Sequence, residues 1–174
     1  MMKLHQIKVQ YVPEQDRLLG RVSTTSGEEI LLWLTRRCVL LLWPELIKMA
    51  EASPQIAVQA SPEARKALVG FQHEQALSQS DFSKPYEEQA RARPFGADPL
   101  LVTRIVHRKD EAGKPVLGLL PKEGDGVFLT LDDRLLHGLM RLLQSAVSKA
   151  EWAFQLSLPT APGVVVERVP RTLN

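Results

Sequence analysis

Ile30-Leu31-Leu32-Trp33-Leu34-Thr35-Arg36-Arg37 and Val127-Phe128-Leu129-Thr130-Leu131-Asp132-Asp133-Arg134 carry the same message at two places in one chain. Each opens on a short apolar run, the mark of a strand covered on both faces. Each then supplies Thr35 or Asp132, whose side-chain oxygen caps a helix, and charged residues to begin it. Strand, cap and helix follow in the same order both times.

Moving outward, the residues before each run also correspond. His5 to Tyr11 alternates, with Ile7, Val9 and Tyr11 on one side and Gln6, Lys8 and Gln10 on the other, which predicts a half-buried strand. Pro13 to Asp16 reads as a turn, Leu18 to Ser23 as a second strand, and Thr24-Thr25-Ser26-Gly27 as a second turn. In the later half Leu101 to Lys109 reads as one strand, Asp110 to Gly113 as a turn and Val116 to Leu120 as a strand. The turn Lys122 to Gly126 then leads into Val127 to Leu131. Leu18-Leu19-Gly20 matches Val116-Leu117-Gly118, with one residue dropped before the third strand. The expected fold is therefore α+β: duplicated β-β-β-α units related by a pseudo-twofold, with antiparallel sheets packed on helices. Each sheet is expected to lie on its own helix. The units span 1–60 and 99–160 of one domain of 174 residues, with a helix and connector at 61–98 and a tail at 161–174. Neither unit carries enough core to stand alone.

The first helix, from Arg36, is apolar nearly all round and contains Pro44, which is expected to kink it. Such a helix asks for more cover than one small unit supplies. Val39, Leu42, Trp43 and Leu46 are therefore the expected contact surface of a homo-oligomer or protein partner. Ser61-Pro62-Glu63 starts the connector helix, which runs to about Ser78. Residues 79–98 read as an extended connector that either moves or wraps the body. The helix capped by Asp132 is expected to reach about Trp152, with a last short strand at Phe154 to Leu158.

Composition narrows function by exclusion. Twenty-two Lys and Arg against twenty Asp and Glu give a net charge of +2, so any anion-binding surface has to come from local clustering. One cysteine, Cys38, excludes an intramolecular disulfide and any centre needing two thiolates, and its apolar neighbours predict a buried, inert thiol. No signal segment and no long apolar span are evident, so a cytoplasmic protein without membrane contact is expected. The histidines His5, His73, His107 and His137 have no ligand partner at sequence spacing, so no metal or cofactor is expected. No nucleophile motif or phosphate loop is present, and no catalytic residue is assigned.

The one concentration of charge is basic. Arg91, Arg93, Arg104, His107, Arg108, Lys109 and Lys114 lie between the connector and the second hairpin. Arg104 and Arg108 share a strand face with Val102 and Val106, and such a face can follow a phosphate backbone. Arg104, His107, Arg108, Lys109 and Lys114 are the candidate nucleic-acid contacts, although Phe128 and Trp33 read as buried. In topology alone, a duplicated sheet-plus-helix body resembles the Whirly and PUR-repeat families, which bind single strands and have four strands per unit rather than three. The readings in play are a non-catalytic interaction protein, a single-stranded nucleic-acid binder, and an enzyme without a sequence signature.

Overall fold

Two sheets and four helices make an α+β structure; the computed structural model describes residues 2–89 and 91–159. The alternating residues form β1 (Leu4–Val12), which pairs antiparallel with β2 (Arg17–Thr24), and β2 pairs antiparallel with β3 (Glu29–Leu34). A 3-10 turn at Pro13–Gln15 closes the first hairpin and leaves Asp16 left-handed, at φ 47°. The Asp16 carboxylate accepts hydrogen bonds from Trp152 Nε1 (2.8 Å), Tyr11 Oη (3.0 Å) and Arg36 (2.7 Å), tying this turn to the far end of the chain. Those bonds, led by the Trp152 donor, hold its pKa below the ordinary carboxylate value.

The expected strand at Leu101 to Lys109 is in fact two. β4 (Leu100–Leu101) adds parallel to β3, while β5 (Arg104–Lys109) starts the second sheet. Between them Val102 is 1% exposed and its N–H donates to the Trp33 carbonyl, so the chain changes sheet where a side chain is anchored in the core. β5 pairs antiparallel with β6 (Pro115–Leu120), and β6 with β7 (Val127–Thr130).

The predicted caps are in place. Cys38 N–H donates to Thr35 Oγ1 at the start of α1 (Arg36–Glu51), and Leu135 N–H to Asp132 at the start of α4 (Asp133–Ala150). α1 is continuous through Pro44, which has no N–H to offer the preceding turn. A one-turn helix, α2 (Pro54–Ala57), precedes α3 (Pro62–Ser78), capped by Ser61. α4 stops at Ala150 because Glu151 turns left-handed. Phe154 to Leu158 forms no strand. Its carbonyls accept from side chains instead, Leu156 O from Gln144 and Ser157 O from Trp43 Nε1. The expected tail at 161–174 lies outside the described residues.

α1 lies beside β5 of the second sheet while also touching β3 of its own, and α4 lies beside β1, so the edge strands β1 and β5 are each covered by the helix of the other half. A single apolar cluster joins both halves, from Leu18 and Leu32 through Leu46 to Leu129, Leu143 and Leu156. Val39, Leu42, Trp43 and Leu46 lie inside it, at 8% exposure or less, so the cover sought for them from a partner comes from the chain itself. The helix face left outside carries Leu40 and Leu41, at 51% and 49% exposure.

The registers amend the sequence match between the halves. Gly20 opposes Leu32 in the inward rows, whereas Gly118 opposes Phe128 in the outward rows, so the two glycines are not equivalent. A constant step of 97 carries the pair Gly20–Leu32 onto Leu117–Leu129, and Val22–Ile30 onto Leu119–Val127. The same step carries Thr35 onto Asp132, and buried Val39, Leu42, Trp43, Leu46, Met49 and Ala50 onto buried Leu136, Leu139, Met140, Leu143, Ala146 and Val147. The one-residue difference falls in the first hairpin, where Ile7–Val22 corresponds to Ile105–Leu119.

Candidate functional site

Strand pleating sends alternate rows of each sheet outward, away from the core. In the first sheet these rows are Gln6–Ser23–Glu29, Lys8–Arg21–Leu31 and Gln10–Leu19–Trp33. In the second they are Arg104–Leu120, Val106–Gly118–Phe128 and Arg108–Val116–Thr130. Each face presents three outward rows, but their surroundings differ.

The connector wraps the first face. Its anchor is Glu29, 2% exposed, whose carboxylate accepts from Arg21 (2.8 and 3.1 Å), Arg93 (2.9 and 3.1 Å) and Tyr86 Oη (2.9 Å). Burial opposes the charged form of Glu29, but these five hydrogen bonds outweigh it and hold the pKa below its ordinary value. Glu29 N–H also donates to Ala92 O at 2.8 Å, fixing the connector backbone. Arg91 and Arg93, part of the basic cluster in the sequence, therefore belong to the first sheet and not to the second.

Among the described residues, no segment of the connector crosses the outer face of the second sheet at Phe128 and Val106. Phe128, expected to be buried, stands 38% exposed in its middle row beside Val106, which is 44% exposed. Gly118 makes this platform possible: a Cβ there would lie 2.5 Å from Val106 Cγ2 and 2.8 Å from Phe128 Cε1. Arg108 Cζ sits 4.8 Å from the centre of the Phe128 ring, a cation–π contact, and Arg104 lies on the same face. Alongside runs a groove of about 920 Å³ lined by Met2, Phe95, Arg108, Lys109, Phe128 and Thr130, with Asp110 and Glu111 at its hairpin end. Phe95, remote in sequence, thus faces the same groove as Phe128.

The other candidate contacts disperse. His107 falls in an inward row and pairs with Glu45 of α1, and Lys109 shares that parity. Lys114 lies in the exposed β5–β6 turn, where its N–H donates to Asp110. Val102 sits in the core, off the face assigned to it. Arg104 and Arg108 therefore remain as the cations of the open face, with Lys109 at the groove.

One pair of side chains escaped sequence reading because 64 residues separate its members. His73 of α3 and His137 of α4 are buried with their Nδ1 atoms 2.9 Å apart, so one ring donates its Nδ1–H to the other. Burial first, and then the neighbouring His73, push the His137 pKa down to about 4, and burial lowers that of His73 as well. His137 Nε2 is buried without a partner. Among the described residues no group of three or more His, Cys, Asp or Glu is placed to hold a metal ion. Burial pushes the Cys38 thiol up to about 12, far from a reactive thiolate.

The class of protein is fixed at the level of the fold: α+β, two antiparallel-rich sheets and four helices, with no described helix long and apolar enough to cross a membrane. No family model, no curated protein and no solved structure matches the chain.

Proposed function

We propose that this chain is a non-catalytic binding protein whose open sheet face takes single-stranded nucleic acid. The observation that carries the reading is Phe128, held exposed at the centre of a sheet face with Arg108 against its ring and Arg104 in the adjacent row on the other side. Bases stack on an aromatic ring whatever their sequence, and the arginines match the spaced charges of a backbone. Phe95 and Lys109 continue both features along the groove. A pseudo-twofold duplication accounts for the layout: the constant step of 97, with α4 beside β1 and α1 beside β5, supports two copies of one unit, each copy offering one outer face.

The test is fluorescence polarisation with labelled oligothymidylate at several salt concentrations. Arg104→Ala with Arg108→Ala is expected to weaken binding and lower the log–log salt slope by about 1.4, at roughly 0.7 per phosphate contact on a single strand. Phe128→Ala is expected to cost about 1–3 kcal/mol with the slope unchanged. Absence of binding by the native protein at low salt overturns the reading.

A second reading, self-association, is favoured by the exposed Leu40 and Leu41 on α1. Light scattering decides it: a dimer abolished by Leu40→Glu with Leu41→Glu supports it, and a monomer at micromolar concentration removes it.

A further inference from the structure

We infer that the outer face of the first sheet is a second site for the same class of ligand, and that residues 85–88 of the connector occupy it as an internal stand-in. The inference rests on the nucleic-acid reading above.

The occupying segment copies the chemistry of a single strand. Glu88 places one carboxylate oxygen 2.8 Å from Arg21 Nη1 and 3.4 Å from Lys8 Nζ, where a phosphate would sit. Tyr86 lies flat enough against the cations for Arg21 Cζ to approach its ring centre at 4.6 Å, where a base would stack. Glu87 adds a second carboxylate 3.5 Å from His5. Gln6 reads the segment's backbone at both polar groups, donating to Pro85 O and accepting from Glu87 N–H. An extended stretch carrying anions and a ring thus lies across the sheet, held by side chains of β1 and β2. The third outward row, Gln10–Leu19–Trp33, extends the same face with an indole.

Register places this face on the open face of the second sheet. Gln6, Lys8 and Gln10 correspond to Arg104, Val106 and Arg108, and Leu31 to Phe128. One face is therefore cationic with Phe128 and Val106 exposed, and its counterpart is filled by an acidic segment of the chain itself. The segment is held firmly beyond it, where Ala92 and Arg93 are fixed to buried Glu29. Its two carboxylates, 47% and 59% exposed, are held by ion pairs at the surface. Exposed pairs contribute little and are weakened by salt, so a polyanion competes for Lys8 and Arg21 on favourable terms. Release of 85–88 removes the Tyr86 hydrogen bond from Glu29 but leaves the four from Arg21 and Arg93.

The experiment compares the native chain with Glu87→Gln plus Glu88→Gln, using labelled oligothymidylate of about 8 and about 24 nucleotides, lengths chosen to span one site and two. The variant is expected to bind the long strand at least about tenfold more tightly than the native chain, because two linked sites act together. Adding Lys8→Glu is expected to remove that gain, whereas adding Arg108→Ala is expected to weaken both strands. Equal affinity of native and variant chains for the long strand, with the short strand bound, overturns the second site and leaves the first standing. Binding by the variant alone supports the second site and overturns the assignment of the first. No binding by either chain overturns both.

Discussion

Acidification to about pH 4 is expected to cost the fold on the order of 3 kcal/mol through the His73–His137 pair. His137 has an ordinary pKa of 6.5 and a folded value of about 4, because a protonated ring would be buried against its histidine neighbour. Each unit of difference corresponds to about 1.4 kcal/mol, so His137 alone accounts for roughly 3 kcal/mol once the pH reaches its folded pKa. The sign follows from the direction. A histidine depressed by folding favours the neutral form, so the unfolded chain binds more protons, and stability is fully present above pH 6.5 and lost as the pH falls towards 4. His73 shifts the same way, with Glu74 opposing and Arg141 adding to the effect. Urea unfolding followed by tryptophan fluorescence between pH 7 and 4 measures it against His73→Leu with His137→Leu. Replacing both partners by apolar groups leaves no unpaired nitrogen, so the variant should stay close to native stability at pH 7. The depressed carboxylates Glu29 and Glu45 are common to both chains and cancel in the comparison. A variant that loses stability in parallel with the native chain over this range would refute the buried neutral pair.

Other substitutions probe the framework around the two faces. Gly118→Ala is expected to displace Phe128 or Val106, costing about 1–3 kcal/mol by overpacking, with weaker oligonucleotide binding in the polarisation assay. Glu29→Ala leaves Arg21 and Arg93 without their shared carboxylate; it is expected to cost about 3–5 kcal/mol in urea unfolding and to raise hydrogen exchange at residues 91–93. Leu46→Ala and Leu143→Ala, at positions that are both fully buried, are each expected to lower stability by about 2–5 kcal/mol. Asp132→Ala removes the acceptor for Leu135 N–H and is expected to cost about 1 kcal/mol, with Asp132→Ser restoring most of it.

Much of this was legible locally. Period-two alternation located β1, the apolar runs located β3 and β7, and Thr35, Ser61 and Asp132 marked their helices because capping is a contact between near neighbours. Register was not legible. A match of Gly20 to Gly118 looked natural in the sequence, but strand pairing turned the two glycines to opposite faces, and a one-residue slip reverses every side chain. The same effect hid Phe128: a run of apolar residues does not say which of them meets the core. The basic cluster misled for a related reason, since adjacent residues of a strand point oppositely and the connector carried Arg91 and Arg93 to another sheet.

The chain by itself determined most of the element types, the order of the long strands and helices and the apolar stripes of α1 and α4, all of which follow from periodicities spanning a few residues. Tertiary structure alone decided that α4 covers β1 and α1 covers β5, that His73 meets His137, and that the described connector covers one outer face and not the other. Those outcomes depend on the path of the connector and on contacts between residues from 57 to 136 positions apart. Sequence spacing carries no information about such distances until the chain has folded.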